Sequence, residues 1–354
     1  MKNEDIAILK SEARSMKLVY TSDSQPGYTR QKRGKNFIFF DSEGKRISDK
    51  EEIKRIKSLA LPPAWINVWI SSKPNGHLQA TGVDVAGRKQ YKYHSLWSFH
   101  RNERKHNRMG EFAKALPLIR QQIEADLGKR EFPKEKVVAL AVSILDKTFI
   151  RVGNSAYTKL YGSFGLTSLR NKHVQVTGNK MKISFKGKKG VFQEIVLSQG
   201  RLVRLLKKLK DIPGQELFQY YDTDGTKKGI DSGNINEYIE QCTGKNFTAK
   251  DFRTWWGTVT AAEYLADDSL NENVSAKKTI PEALDFVAKK LGNTRAVCKK
   301  YYVHPQLLKS YEEGKLGKYL LRIRKIRLEK NENIYKAAAE EVVMEFLSKE
   351  CPVV

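Results

Sequence analysis

Cysteine is scarce in this sequence. Cys242, Cys298 and Cys351 are far apart and odd in number, which argues against a disulfide framework, and none has zinc-ligand spacing. A reducing, intracellular compartment suits such a chain. The six histidines, at 77, 94, 100, 106, 173 and 304, form no metal-binding cluster. No apolar run approaches the ~20 residues that span a bilayer, and Met1 to Lys17 is mixed and charged, unlike a signal peptide. The GxxxxGK[ST] loop of nucleotide-binding proteins is missing. The stretch Asp222-Thr223-Asp224-Gly225 fails as a calcium loop, because its glycine comes two places early and the twelfth position is Gly233 instead of Glu. It reads as a turn. No internal repeat is visible. Acidic residues are also short: 40 Asp plus Glu face 65 Lys plus Arg, a formal charge of +25. That excess points to a polyanionic partner, nucleic acid before a ribosomal or membrane surface.

What is present suits a folded protein. With 354 residues and 40% hydrophobic content, the chain can build two domains with separate cores. Residues 1 to about 30 are polar and weakly periodic and read as a loosely held lead. Phe37 to Phe40 suit a buried strand, and Asp49 to Leu59 a short amphipathic helix. WINVWI, HLQATGVDV and KQYKYH read as strands, with Asn75-Gly76 as a hairpin turn. His94 to Asn107 is dense in basic and aromatic residues and reads as a link between domains. Met109 to Leu127 is helical, with Phe112, Leu116, Ile119 and Ile123 on one face. A second apolar stripe, Val137 to Leu145, follows Pro133 and brings Arg151 to a helix end. HVQV, KMKISF and VFQEIVL then alternate like three strands, with Lys188 at the Gly-Lys-Lys-Gly tip. Further helices are expected over Arg201 to Leu209 and Ile235 to Thr243. Thr248 and Asp251 resemble a capping box before a helix carrying Phe252, Arg253, Trp255, Trp256 and Val259. A polar loop through Lys278 follows, and Tyr311 to Leu347 is a long charged helical tail.

Between these last two segments lies LGNTRAVCKKYYVHP. Leu284, Val287, Ala288 and Leu291 recur at helical spacing, with Gly292 at the cap. Thr294 can open a second helix, which Pro305 stops. On it Val297 and Tyr301 share one face, and Lys299 and Tyr302 another. Tyr301 is therefore expected in the core, and Tyr302 beside the lysines, where an anion would sit. A tyrosine on a basic face is ordinarily a packing or surface residue. A lysine at a hairpin tip is ordinarily solvated, and an arginine at a helix end ordinarily compensates the dipole. It is the set that matters: two arginines can hold the non-bridging oxygens of a phosphate, a lysine can protonate a leaving oxygen, and a tyrosine can attack phosphorus.

The order Arg151 in FIRVGN, Lys188 in FKGKKG, Arg253 in DFRTWW and then Tyr302 resembles the type IB DNA topoisomerases. The likeness is greatest to the small poxvirus-type enzymes and their bacterial relatives, and it covers roughly residues 60 to 310. That family places a His or Asn nine residues before its tyrosine, and Asn293 lies nine before Tyr302. Asn293 can donate a hydrogen bond but carries no charge. GRKQYKYH matches the family's DNA-contacting stretch, so Arg88, Gln90, Tyr91 and Tyr93 become DNA-binding candidates, with Lys189 as a phosphate contact.

The resemblance implies an α+β fold of the tyrosine recombinase and type IB topoisomerase kind. A small β-rich DNA-clamp domain would cover residues 1–95. A larger, mainly helical catalytic domain with a three-stranded antiparallel sheet would cover 96–354, and the two would close around duplex DNA. It implies relaxation of supercoils through a 3′-phosphotyrosyl intermediate. Bond energy is conserved, so no cofactor is needed, neither ATP nor metal. A monomer in the cytoplasm, associated with the nucleoid, is expected. Two other readings remain. A tyrosine recombinase usually has a histidine three places before the second arginine, where this chain has Lys250. A non-catalytic basic DNA-binding protein would leave the Arg-Lys-Arg-Asn-Tyr set unexplained.

Overall fold

The protein is described from a computed structural model, which covers all residues except 1–2, 35, 86, 199, 269–274, 330–331 and 351–354. Cys351 and most of the polar stretch after Asp268 lie outside the described residues. The chain divides into two compact units, Met1–Arg104 and Lys105–Val354.

The first unit begins with helix α1 (Asn3–Ser15), where a loose lead was expected. The reason is a small apolar cluster: Ala13 and Leu18 are buried against Trp97, with Leu9, Met16 and Tyr20 around them. Too few apolar residues lie within the segment itself to reveal this. An antiparallel sheet follows, built from β1 (Tyr28–Arg33), β2 (Asn36–Phe40), β3 (Ile66–Ile70), β4 (Leu78–Val83) and β5 (Lys89–Tyr93) in the order β2-β1-β3-β4-β5. Helix α2 (Lys50–Ser58), capped by the Asp49 side chain, lays Ile53 and Ile56 on Phe39, Val68, Ile70 and Ala80. The expected β elements are all present. The β3–β4 turn is wider than a two-residue hairpin: it closes over Lys73–Gly76, where the Gly76 N–H donates to the Lys73 carbonyl at 3.0 Å. Strand β5 ends the sheet and leaves Tyr91 and Tyr93 exposed, with their rings stacked 6.1 Å apart.

Helix α3 (Ser95–Leu127) has 33 residues, and the boundary between the two units, after Arg104, falls within it, so the expected link from His94 to Asn107 is helical. Its polar first half hides helical order because it shows little apolar periodicity. In the second unit, Phe112, Leu116, Ile119 and Ile123 enter the core as expected. Helix α4 (Lys134–Lys147) is buried continuously from Lys136 to Asp146 and forms the centre of the unit. After α5 (Ser155–Tyr161), strands β6 (Val174–Thr177), β7 (Lys180–Lys186) and β8 (Phe192–Leu197) form the three-stranded antiparallel sheet. Helix α6 (Gly200–Lys210) packs Leu202, Val203, Leu206 and Leu209 inward. A short hairpin that the sequence did not reveal, β9 (Gln219–Tyr221) and β10 (Lys227–Gly229), brackets the Asp222–Gly225 turn.

The remaining helices are α7 (Ser232–Thr243), α8 (Ala249–Asp268), α9 (Ala276–Leu291), α10 (Arg295–Tyr301), α11 (Pro305–Glu312), α12 (Gly317–Glu329) and α13 (Glu332–Glu350). At the start of α8 the Asp251 carboxylate accepts from the Thr248 N–H at 2.8 Å and from its hydroxyl at 3.0 Å, one half of the expected capping box. The expected tail is two helices folded back onto the core, and Tyr319, Leu320, Ile323, Val342, Val343 and Phe346 are buried there. Glu340 of α13 accepts from Arg120 of α3 at 3.1 Å and from the Trp255 indole at 3.3 Å, while Arg120 also donates to Asp146 of α4 at 2.9 Å. Breaking one member would strand a buried charge, so this cluster fixes α13 to three other helices.

Candidate active site

The site grows from the end of α9. Gly292 adopts φ 58°, and its N–H donates to the carbonyls of Ala288 and Lys289. The Asn293 N–H then donates to Ala288 at 2.9 Å. This left-handed cap reverses the chain and turns two carbonyls, Leu291 and Gly292, toward neighbouring cations. Helix α10 stops at Tyr301, leaving Tyr302 as its C-cap at φ −126°, ψ −25°. Tyr302 thus lies off the lysine-bearing helix face on which the spacing placed it. The core residue of α10 is Cys298, fully buried, and Tyr301 is only half-buried under Lys300. Tyr302 instead packs against the core, with the Arg253 guanidinium 5.4 Å from its ring centre.

Helix α8 provides the floor. A Cβ on Gly257 would fall 2.7 Å from the Tyr302 carbonyl oxygen, so only glycine allows this approach. One residue on, the Thr258 hydroxyl lies 3.3 Å from the same oxygen and accepts from the His304 N–H at 3.0 Å. The sequence reading missed Gly257 and Thr258. Their place four and five residues after Arg253, on the turn above it, was the available signal.

Arg253 is only 5% exposed. It donates from Nη2 to the Leu291 carbonyl at 2.8 Å and from Nη1 to the Phe149 carbonyl. Trp256 packs edge-on to Phe149, so the tryptophan steadies the arginine through the carbonyl it donates to. Arg151 lies outside any helix or strand, three residues beyond Thr148, the C-cap of α4. It therefore does not end a helix or serve its dipole. Its Nη2 donates to the Gly292 carbonyl and to Asn293 Oδ1, both at 2.9 Å. The Asn293 amide nitrogen is buried and has no hydrogen-bond partner among the described residues. Burial draws Arg253 down to about 10, and the neighbouring Arg151 charge pushes the same way while Tyr302 opposes both. Burial lowers Arg151 too. Among the described residues neither arginine forms a salt bridge to a carboxylate. Two desolvated cations thus lie beside one tyrosine, and the Asn293 side chain is tied to one of them, Arg151.

Lys188 and Lys189 are exposed at the β7–β8 tip, where Lys189 takes a left-handed φ of 59°. The root of that hairpin is tied to the Arg151 segment. The Lys186 carbonyl accepts from the Phe164 N–H, and the Arg151 carbonyl from the Leu166 N–H, both at 2.8 Å. So the structure brings Arg151, Arg253, Asn293 and Tyr302 together and anchors the Lys188 hairpin beside them. Arg88, Gln90, Tyr91 and Tyr93 lie in the first unit. There Arg88 pairs with Asp84, and Gln90 donates to the same carboxylate at 3.0 Å.

Residues 89–348 match the family model described as eukaryotic DNA topoisomerase I, catalytic core, and residues 36–84 match the bacterial DNA topoisomerase IB N-terminal domain. The chain belongs to the type IB DNA topoisomerases. It is similar to DNA topoisomerase 1B of Acanthamoeba polyphaga mimivirus, at 32% identity over 81% of this chain and 88% of that one. DNA topoisomerase 1B of vaccinia virus (strain Copenhagen) is 26% identical over 66% of this chain and 72% of its own. A solved XerH site-specific recombinase bound to palindromic difH covers 57% of this chain and 50% of its own, at 15% identity and a TM-score of 0.34, too slight a likeness to bear on activity. This type IB topoisomerase is an isomerase that relaxes supercoiled DNA by tyrosine-mediated strand cleavage. The α+β expectation holds, with an antiparallel N-terminal sheet and a mostly helical catalytic part.

Proposed function

We propose that Tyr302 is the nucleophile of the relaxation reaction and that Arg151, Arg253 and Asn293 hold the scissile phosphate. The observation that carries this reading is the pair of guanidiniums beside Tyr302, Arg253 buried and Arg151 half-buried, which among the described residues donate to three backbone carbonyls and one amide oxygen and form no salt bridge. A buried cation without an acidic partner is costly, and an incoming phosphate removes that cost. The Tyr302 hydroxyl gives its proton to water and its oxygen bonds to phosphorus, while the bond from phosphorus to the 5′ oxygen breaks. Lys188 gives a proton to that leaving oxygen. The 3′-phosphotyrosyl link stores the bond energy, the free strand rotates, and the 5′-hydroxyl attacks back. The balance requires neither ATP nor metal. Arg88, Gln90, Tyr91, Tyr93 and Lys189 contact the duplex, Arg88 and Gln90 by exchanging Asp84 for phosphate and bases. The enzyme acts as a monomer in the cytoplasm on nucleoid DNA.

Lys188→Ala should cleave an ordinary duplex slowly and recover when the leaving oxygen is replaced by sulfur, because a thiolate departs without a proton. Lys189→Ala should show no such recovery. Single-turnover rates on both substrates test this, and equal slowness of Lys188→Ala on the two would remove Lys188 as the acid.

Binding is expected to weaken steadily with salt. The plot of log affinity against log salt should be linear with a slope of about −0.9 for each phosphate contacted. A flat plot would contradict a basic surface on the DNA backbone.

A further inference from the structure

Gln193, the second residue of β8, faces Phe185 across the ladder and so stands at the root of the Lys188 hairpin. Two glycines flank its side chain. A Cβ on Gly187, the residue before Lys188, would lie 3.1 Å from Gln193 Cγ. A Cβ on Gly292, the residue before Asn293, would lie 3.0 Å from Gln193 Nε2, 3.5 Å from its Oε1 and 3.6 Å from Arg151 Nη1. The amide is steadied by donation to the Phe192 carbonyl at 3.2 Å. One side chain thus reaches from the general-acid hairpin to the loop that carries the phosphate-binding groups.

We infer that Gln193 is a positioning residue that seats the Lys188 hairpin against the Arg151–Asn293 phosphate site. The inference rests on the reading of Lys188 as the general acid. The hairpin tip is exposed and includes left-handed residues, so the tip itself does little to hold the ammonium at one place. Proton transfer needs heavy atoms within about 2.6–3.2 Å, and a displacement near 1 Å can cost on the order of 10²-fold in rate. A brace at the hairpin root limits that displacement. It acts on the proton-transfer step alone, because Arg151, Arg253 and Asn293 keep their own hydrogen bonds without it.

The full-length protein tests this in single-turnover cleavage of matched duplexes with oxygen or sulfur at the leaving position. Gln193→Ala is expected to be roughly tenfold slower than the parent on oxygen and within about twofold of it on sulfur. Parent-like cleavage of the oxygen substrate would overturn the inference. So would equal slowing on both substrates, which would mean that the side chain serves the phosphate or the fold. Lys188→Ala, assayed alongside, separates the two claims. Recovery of Lys188→Ala on sulfur without recovery of Gln193→Ala sinks only the role of Gln193. Failure of Lys188→Ala to recover sinks the general-acid assignment, and this inference with it.

Discussion

Tyr302→Phe is expected to bind supercoiled plasmid as the parent does and to relax none of it. The parent should relax the same plasmid in chelator without ATP. The substitution removes one oxygen. The ring stays packed against the core, and the Tyr302 carbonyl keeps its place over Gly257 and Thr258. Folding and DNA affinity should therefore survive, and the covalent adduct seen after denaturant quench should vanish. Tyr301→Phe is the matching control. Tyr301 ends α10 half-buried, so losing its hydroxyl should leave adduct and relaxation intact. Adduct from Tyr302→Phe but none from Tyr301→Phe would reverse the assignment.

The second large effect is expected at the arginines. Arg253→Ala should slow single-turnover cleavage by about 10² or more, as loss of one oxyanion donor does. Truncation also leaves the Leu291 and Phe149 carbonyls without their donor, at roughly 1–3 kcal/mol for each buried polar group. A drop in melting temperature should accompany the loss of rate. Arg151→Ala separates the two costs, because Arg151 is half-buried and holds one carbonyl and the Asn293 side chain. Its rate should fall as far with less loss of stability. Lysine at either position should restore only part of the rate, since one ammonium cannot hold two fixed carbonyls and also present a fork to phosphate. Full activity of either lysine variant would show that the guanidinium geometry is dispensable.

Some elements were legible in the sequence, for local reasons. Helix α9, its Gly292 cap and the start of α10 follow from spacing within a few residues. The β6–β8 sheet follows from alternation in KMKISF and its neighbours. Other elements were hidden because their partners are remote in the chain. The helical order of α1 depends on Trp97, and the tail becomes core only against α8. The nine-residue distance from Asn293 favours Tyr302 over Tyr301, and the face argument that agreed with it set Tyr302 beside the lysines, whereas it packs as a C-cap beside Arg253.

The sequence by itself determined the inventory: an excess of positive charge, two arginines, a hairpin lysine, an asparagine and a late tyrosine in the order of a known family. Only the tertiary structure decided which of these groups is buried and what each one touches. Arg253 donates to carbonyls 104 and 38 residues away, and Arg151 to a loop 141 residues on. No periodicity reports such contacts, because helical and strand spacing register neighbours within one or two turns, whereas desolvation of a guanidinium depends on every segment packed around it.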